Sequence, residues 1–386
     1  MRILQVTPAF YPAEGHGGAP YVVYEISKRL SERGHEVTVY TTDANDKYSR
    51  LRNGIKNIDG FKIYYFKNIS NSLAYEHKLF ISPGMVSAMR EEINNFDIIH
   101  LHDFRTLQNI MAHHYTKKYG IPYILQAHGS VVRIVKRQRF KSVFDTLFGY
   151  VILKDSKKLI ALNRSESERL NDMGVNKYKL EVVPNAIDLS KYHNLPKRGS
   201  FKEKYNIKDE KIILFVGRIH ESKGIDLLVK AFAELSKRLE DTKLVIVGHD
   251  DGYLPFLKEL ALSLKIEDRV LFTGYLSQED KLSAFIDADV FVTPSFYGFP
   301  LTFLEAMVCG VPIITTNKGD FIEGIDNEVG YVVQYDEKEL DNALFKILID
   351  DMLRKRLKEN AKRKSNDYNW DVIIERIEEV YKESIG

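Results

Sequence analysis

Two basic residues flank a turn that follows one of the apolar runs of the chain. Arg218 and Lys223 lie in segment 217–224, after the run Ile212–Val216 and before a helical pattern that begins at Ile225. An arginine fork and a lysine point charge at the carboxyl end of a parallel strand suit a diphosphate. The segment lacks the Gly-x-x-x-x-Gly-Lys-Ser/Thr phosphate loop, so it does not indicate a nucleoside triphosphatase. A solvated basic loop is the alternative interpretation.

Another segment could bind an anion through its backbone. Residues 293–306 follow an apolar run and pass from a loop into a helix, whose first turn would present free N–H groups. Glu305 lies one to two turns into this helix and could reach ribose hydroxyls. The alternative is a surface carboxylate that pairs with a neighbouring base.

Glycines follow the first strand, in the order Gly15-His16-Gly17-Gly18-Ala19. Glycines let the backbone approach a ligand, and the helix that follows offers its N-terminus to an anion. The spacing is not that of the Gly-x-Gly-x-x-Gly dinucleotide fingerprint. The alternative interpretation is a flexible loop.

Histidines cluster after two further apolar runs. His100, His102 and Asp103 follow one run, and His128 with Gly129 follows another. No His-Glu-x-x-His or Cys-x-x-Cys pattern accompanies them, so we predict no metal site. His128 could hydrogen-bond a sugar or a leaving-group oxygen, whereas a satisfied histidine at a strand end is the alternative.

Segment 131–158 combines cations with apolar residues. The apolar members are Val135, Phe144, Leu147, Phe148 and Val151. This pattern fits a solvated helix with a core-facing stripe. It also fits peripheral contact with an anionic membrane surface or an anionic acceptor.

Composition excludes several classes of protein. The 386 residues carry a formal net charge of +2, which does not indicate a nucleic-acid binder. Cys309 is the one cysteine in the sequence, so an internal disulfide and a four-cysteine zinc site are excluded. No signal-peptide core precedes the first strand, and no apolar run is long enough for a membrane span. We therefore predict a cytoplasmic protein, with peripheral membrane contact as an option.

Apolar runs alternate with helical patterns along the whole chain, which predicts parallel sheets covered on both faces. The predicted strands of the first half are Ile3–Val6, Val37–Tyr40, Phe61–Phe66, Ile98–Leu101, Tyr123–Gln126, Leu159–Leu162 and Leu180–Val183. Those of the second half are Ile212–Val216, Leu244–Val247, Val270–Phe272, Val290–Val292, Ile313–Thr315 and Gly330–Val333. Helical patterns include Tyr21–Arg33, Ile225–Arg238, Pro255–Leu264 and a final helix at Trp370–Ile385. Two such sets predict two doubly wound domains.

The segments together resemble the retaining glycosyltransferases of the two-domain (GT-B) type, in family four of the sugar transferases. The matching pieces appear in the family's order along essentially the whole chain: Gly17-Gly18-Ala19, Gly34-His35, His128-Gly129, 183–188, Gly217-Arg218 with Lys223-Gly224, and 299–305. Each piece alone would be weak, but six in order are specific.

The resemblance implies two facing Rossmann-like domains, with the C-terminal helix crossing back to the first. Residues 1–190 with 370–386 would bind the acceptor, and residues 191–369 would bind the nucleotide sugar. The implied reaction is transfer from a nucleoside-diphosphate sugar to an unidentified glycan, lipid-linked or small-molecule acceptor. It would retain the anomeric configuration and need neither metal nor other cofactor.

The resemblance also assigns roles to individual residues. Arg218 and Lys223 would hold the diphosphate, and His128 would contact the transferred sugar; these three are the expected catalytic residues. The other expected donor-binding residues are Gly17, Gly18, Leu276 near the base, Tyr297, Pro300, Leu301, Thr302 and Glu305 at the ribose.

One position departs from the family. Where the family usually has a glutamate eight residues before the position of Glu305, this chain has Tyr297. Tyrosine offers a hydroxyl but no carboxylate. Two alternatives to transfer stay open. One is an epimerase or phosphorylase on the same fold, and the other is a non-catalytic sugar-binding relative.

Overall fold

The structure, a computed structural model, describes residues 1–13, 17–132, 138–320 and 322–386. The chain forms two compact units. Unit 1 comprises residues 1–185 and 371–386, and unit 2 comprises residues 186–370.

Unit 1 is built on a sheet in which eight strands are described. They are β1 (Arg2–Val6), β2 (Glu36–Thr42), β3 (Gly54–Ile58), β4 (Phe61–Phe66), β5 (Ile98–His102), β6 (Tyr123–Gln126), β7 (Lys158–Ala161) and β8 (Leu180–Val182). Their order is β3-β4-β2-β1-β5-β6-β7-β8. Every neighbouring pair is parallel except β3 and β4. The central strands are buried on both faces, which agrees with their apolar runs.

Seven helices connect the strands of unit 1 in the described residues. They are α1 (Ala19–Glu32), α2 (Asn71–His77), α3 (Pro83–Glu92), α4 (Leu107–Tyr119), α5 (Gln138–Phe144), α6 (Tyr150–Asp155) and α7 (Arg164–Asp172). Side-chain acceptors begin several of them: Thr106 accepts from the backbone of Asn109, and Asn163 accepts from that of Glu166.

Unit 2 repeats the scheme with a six-stranded, all-parallel sheet in the described residues. Its strands are β9 (Lys211–Val216), β10 (Thr242–Val247), β11 (Val270–Gly274), β12 (Ala288–Thr293), β13 (Ile313–Thr316) and β14 (Gly330–Val333). Its helices are α8 (Ser200–Lys204), α9 (Ile225–Ser236), α10 (Leu254–Ser263), α11 (Gln278–Asp287), α12 (Leu301–Cys309), α13 (Glu337–Ile349) and α14 (Asp351–Ser365). The order β11-β10-β9-β12-β13-β14 is that of a doubly wound nucleotide-binding sheet.

The last helix, α15 (Trp370–Ile385), has the predicted bounds and packs onto unit 1. Its residues Ile373, Ile377 and Tyr381 are fully buried. Glu378 bonds Nε2 of His35 at 2.7 Å and also pairs with Arg33. The prediction of two doubly wound α/β domains with a C-terminal helix that returns to the first is confirmed.

Strand β3 was not predicted, because this edge strand is mostly exposed and lacks an apolar run. The signal that could have revealed it is the pair Asp59-Gly60. Both residues have positive φ (47° and 82°), and they link Ile58 to its partner Phe61 across a two-residue hairpin. Asp-Gly is a preferred pair for such a turn.

Candidate functional site

Each sheet has one place where the strand order reverses. In unit 1 the reversal lies between β1 and β5, and in unit 2 it lies between β9 and β12. The carboxyl ends of such strands border the crevice in which open α/β sheets bind ligands. The loop with Gly17 follows β1, the turn with Arg218 follows β9, and the loop with Tyr297 follows β12. His128 follows β6, which pairs with β5.

In unit 2, the turn after β9 brings the two predicted diphosphate ligands to the start of α9. Nη1 of Arg218 bonds Oδ2 of Asp251 at 2.9 Å, and the two side chains are 56% and 32% exposed. Lys223 ends a single 3₁₀ turn, and Gly224, with φ of 67°, leads into the helix. Burial, with the nearby charge of Arg218, lowers the pKa of Lys223 to about 8. The turn thus carries two cations, Arg218 and Lys223, of which Arg218 is paired with Asp251.

Gly248 supports this turn from the end of β10. Its φ is 150°, and a Cβ atom at this position would lie 1.8 Å from the carbonyl oxygen of Gly217. The backbones are also joined by hydrogen bonds from Gly217 to Val247 (3.0 Å) and from Ile219 to His249 (2.8 Å). The turn that carries Arg218 therefore depends on glycine at position 248.

The loop after β12 is held by the segment after β13. The backbone N–H of Gly298 donates to Oδ2 of Asp320 at 2.8 Å, and Asp320 donates from its own backbone to Phe296 at 3.1 Å. Gly319 approaches the same loop so closely that a Cβ atom would lie 2.0 Å from the Phe296 oxygen. These contacts fix the backbone on both sides of Tyr297, whose side chain is half-buried.

Helix α12 starts directly after this loop. Pro300 stands at its N-cap position and makes no side-chain cap, so the N–H groups of Leu301 and Thr302 face the loop end without a capping side chain. Such a helix N-terminus favours an anion.

Glu305 is buried within α12, with 7% of its surface exposed. Its Oε1 accepts a hydrogen bond from Nζ of Lys281 on α11 at 2.6 Å. The expected pairing with a base is present, but the carboxylate is not on the surface. Leu276, two residues after β11, is also buried. Lys281 and Asp251 were not predicted as site residues, because nothing in their local sequence points to the partners they contact.

In unit 1, the glycine loop leads into α1. Gly17 has φ of 86°, a left-handed conformation that favours glycine, although a Cβ atom there would contact nothing within 4 Å. Gly18 occupies the N-cap position of α1. Gly15 and His16 of the same loop lie outside the described residues.

His128 has a left-handed backbone with φ of 51°, and Gly129 follows with φ of 80°. The loop is held by Glu166, whose carboxylate accepts from the backbone N–H of Gly129 at 2.7 Å. Nε2 of His128 contacts Nδ1 of His102 at 2.9 Å. Burial lowers the pKa of His128 to about 3, so the ring is neutral at physiological pH.

Asp103, directly after β5, has a left-handed backbone conformation like that of His128. Its φ is 61°, and burial raises the pKa of its carboxyl group to about 6. Non-glycine residues with positive φ gather at functional sites. In the sequence, Asp103 stands out only as part of the histidine cluster.

The described residues include no group of three or more His, Cys, Asp or Glu side chains that could hold a metal ion. None of the described helices is both long enough and apolar enough to cross a membrane.

For segment 131–158 the sequence fits either a helix with a core-facing stripe or a surface that contacts a membrane or an anionic acceptor, and the structure does not agree with the stripe. Leu147, Phe148 and Val151 are exposed, by 61%, 40% and 47%, so these residues form no core-facing stripe. The segment is anchored instead by Ile152 and Leu153, which are buried, and by an ion pair between Asp145 and Arg105 at 2.8 Å. Residues 133–137, which include Val135, lie outside the part of the chain that is described.

Sequence profiles of two families match the chain. Residues 16–191 match Glycosyltransferase Family 4, and residues 197–364 match Glycosyl transferases group 1. An uncharacterized glycosyltransferase of Methanocaldococcus jannaschii is 28% identical over 99% of this chain and 98% of its own length.

Solved structures share the fold. Sucrose-phosphate synthase of Thermosynechococcus elongatus superposes with a TM-score of 0.81 at 21% identity, covering 99% of this chain and 98% of that one. An Anabaena protein crystallised with UDP-glucose superposes with a TM-score of 0.78 at 17% identity, covering 99% of each chain.

Proposed function

The chain belongs to the family 4, group 1 glycosyltransferases, and from this premise we propose that it transfers a sugar to a hydroxyl of a glycan, lipid-linked or small-molecule acceptor without a divalent metal. It is a retaining glycosyltransferase with the GT-B fold that uses a nucleotide-sugar donor. The proposal therefore concerns the class of acceptor and the absence of a metal requirement.

The proposal rests on the two cations at the turn after β9, Arg218 and Lys223. Cleavage of the bond between the anomeric carbon and phosphate leaves a nucleoside diphosphate, so negative charge grows on the leaving oxygens. Arg218 and Lys223 are fixed cations that can stabilise this charge, and the N-terminus of α12 adds aligned N–H groups. These groups can do the work that a divalent metal does in other transferases.

The resemblance to the family supplies the remaining assignments. Residues 191–369 would bind the donor, with Glu305 at the ribose, Leu276 at the base, and Tyr297 and Pro300–Thr302 at the phosphates and sugar. Residues 1–190 with 370–386 would bind the acceptor, and they would also supply Gly17, Gly18 and His128 to the donor. The burial of Glu305 and its bond to Lys281 support its role, because a fixed carboxylate is a good acceptor for ribose hydroxyls.

A calorimetric panel of nucleoside diphosphates and nucleotide sugars, with and without chelator, tests the proposal. UDP and UDP-glucose come first, since the related Anabaena structure contains UDP-glucose. We expect one nucleotide to bind equally well in both conditions and its sugar conjugate to be turned over. Turnover that disappears with chelator would reject metal independence, and the absence of binding by any nucleotide would favour a non-catalytic sugar-binding relative.

Tyr297 separates transfer from its alternatives. Its hydroxyl can bond a sugar but cannot supply the family's usual carboxylate. We expect Tyr297→Glu to keep the fold and to change the donor preference or the rate. Unchanged preference and rate would mean that Tyr297 does not face the donor sugar. Product analysis by NMR distinguishes transfer from epimerisation, because an epimerase leaves the nucleotide attached to the sugar.

We propose in addition that unit 1 contacts an anionic membrane peripherally through segment 131–158. Phe140, Val143, Leu147 and Val151 are exposed on α5, on α6 and on the turn between them, by 77%, 56%, 61% and 47%. Arg139, Lys154 and Lys157 are exposed nearby in the sequence. Apolar side chains beside cations are the arrangement that binds anionic lipid surfaces.

Co-sedimentation with phosphatidylglycerol and phosphatidylcholine vesicles tests this contact. We expect binding to the anionic vesicles that decreases in Phe140→Ser/Leu147→Ser. The control is Tyr48→Ser/Tyr178→Ser, which removes two aromatics that are each 88% exposed elsewhere on the chain. Equal binding by both double variants would reject the membrane surface.

A further inference from the structure

Three of the buried polar side chains of unit 1 lie together on β1 and β5. Gln5, His100 and His102 are fully buried. Gln5 on β1 pairs in register with His100 on β5, and the alternation of a strand places His100 and His102 on the same face. A buried polar group is unfavourable unless it is hydrogen-bonded, so such a cluster in a covered sheet calls for a functional explanation.

These side chains form a continuous chain of hydrogen bonds that begins on the C-terminal helix. Tyr381 on α15 contacts Nδ1 of His100 through its hydroxyl at 2.8 Å, and Gln5 donates from Nε2 to the same hydroxyl at 3.0 Å. Oε1 of Gln5 lies 2.6 Å from Nε2 of His102, and Nδ1 of His102 lies 2.9 Å from Nε2 of His128. The chain therefore connects α15 to the loop after β6.

The orientation of the Gln5 amide, with Nε2 toward Tyr381 and Oε1 toward His102, determines where the protons are. Oε1 of Gln5 can only accept, so Nε2 of His102 carries a proton. Burial lowers the pKa of His102, which makes its ring neutral and leaves Nδ1 as an acceptor. Nε2 of His128 must then donate to it. Because His128 is neutral too, its Nδ1 carries a lone pair.

Nδ1 of His128 is the end of the chain, and it is buried without a hydrogen-bond partner among the described residues. An unpartnered buried acceptor is destabilising, and such atoms in native structures often mark a ligand contact. A sugar carries hydroxyl donors that would satisfy this atom. The opposite orientation of the Gln5 amide would exchange its oxygen and its NH₂ group. The protons on His102 and His128 would then sit on the other ring nitrogens, and Nδ1 of His128 would be a donor.

We propose that Gln5, His102 and Tyr381 are positioning residues that hold His128 in its neutral Nε2–H tautomer, with Nδ1 ready to accept a hydrogen bond from a hydroxyl of the transferred sugar. The inference rests on the proposed contact between His128 and that sugar. It gives α15 a part in the chemistry, because Tyr381 orients the Gln5 amide although it lies 376 residues away in the sequence.

Nitrogen-15 NMR of the full chain with labelled histidine tests the tautomer without any ligand. The His128 resonances are assigned by comparison with His128→Gln. In the wild-type protein we expect a protonated Nε2 and an unprotonated Nδ1. In Tyr381→Phe the Gln5 amide loses its acceptor, so we expect the second tautomer to become populated. A wild-type His128 that is protonated on Nδ1 would overturn the inference, as would a tautomer unchanged by Tyr381→Phe.

Tyr123→Phe is the matched control, since it also removes a buried tyrosine hydroxyl in unit 1. That hydroxyl donates to the backbone of Ile152 at 2.5 Å, outside the chain of side chains. The control should keep the wild-type tautomer. Gln5→Leu is a second variant that breaks the chain next to His102, and it should give the same mixture as Tyr381→Phe.

Kinetics separate a positioning role from a structural one. With UDP-glucose as donor and water as acceptor, we expect kcat of Tyr381→Phe to fall by about 5- to 10-fold, the value of one lost hydrogen bond. The calorimetric Kd for UDP should not change, and Tyr123→Phe should match the wild type in both. An equal loss in the two tyrosine variants would overturn the positioning role. If the wild-type protein turned over no nucleotide sugar, the proposed function would fail, whereas the NMR result would still decide the tautomer.

Discussion

The carboxyl edges of the two sheets have the same architecture but different electrostatics. In unit 2 the edge presents cations: Arg218 and Lys223 after β9, with the N-terminus of α12 after β12. In unit 1 the described edge presents the neutral ring of His128 and the carboxyl group of Asp103, whose pKa is raised by burial to about 6. Both sheets reverse their strand order at the corresponding place.

The same physical cause acts on both edges with different results. Burial lowers the pKa of Lys223 to about 8 and that of His128 to about 3. Lysine starts from a pKa near 10.5, so it stays mostly protonated at neutral pH, whereas histidine starts near 6.5 and becomes fully neutral. Burial thus yields a cation suited to a diphosphate in unit 2 and an uncharged acceptor suited to a sugar hydroxyl in unit 1.

Removing the charges of unit 2 should have the largest effect. Arg218→Ala/Lys223→Ala is expected to weaken UDP-glucose binding by about 10²- to 10⁴-fold, because two charge-assisted contacts are lost. Calorimetry measures the change. Lys237→Ala/Lys243→Ala, which removes two cations elsewhere in unit 2, is the control. Similar losses in both double variants would mean that net charge, and not this turn, attracts the donor.

Displacing the turn without removing a charge should have the next largest effect. Gly248→Ala would place a Cβ atom 1.8 Å from the oxygen of Gly217, so the turn with Arg218 must move. We expect a loss of about 1–3 kcal/mol in the free energy of unfolding, together with weaker donor binding. Gly252→Ala shares a positive φ of 90° but meets nothing within 4 Å, so its donor affinity should stay near wild type. Equal donor affinities in the two variants would contradict the role assigned to position 248.

Raising the pH should weaken donor binding through Lys223. A bound diphosphate favours the charged amine, so the pKa of Lys223 is higher in the complex than the value of about 8 in the free protein. Its contribution is therefore complete below pH 8 and is lost as the pH rises above 8, by up to about tenfold per pH unit. Calorimetry from pH 7 to 9 should show this decline in wild type and not in Lys223→Met. A decline that persists in Lys223→Met would assign the titration to another group.

Releasing Arg218 from its exposed partner should have the smallest effect. Asp251 competes with the donor for this guanidinium, and exposed ion pairs are weak, so Asp251→Asn should tighten UDP binding by about 2- to 5-fold. Glu234→Gln, which breaks the exposed pair with Lys237, is the control and should leave the affinity unchanged. Weaker binding in Asp251→Asn would instead show that Asp251 orients Arg218 for the donor.

Much of the fold could be predicted, because continuous apolar runs and helical periodicity are local properties. The final helix was predicted at its observed bounds, and the strands on both sides of each reversal point were predicted within a few residues. Strand β3 was missed because an exposed edge strand needs no apolar run. The exposure of Leu147 and Val151 could not be predicted from the sequence either. An apolar helix face has the same residue pattern whether it packs against a core or faces solvent.

The sequence alone determined which residue types stand at the strand ends, since glycines, cations and histidines there are visible in short segments. Their roles in binding remain predictions. Only the tertiary structure decided their partners: Asp251 for Arg218, Lys281 for Glu305, and the path from Tyr381 through Gln5 and His102 to His128. The reason is physical. The state of a side chain depends on burial and on contacts between residues far apart in the chain, and neither is a property of a local pattern.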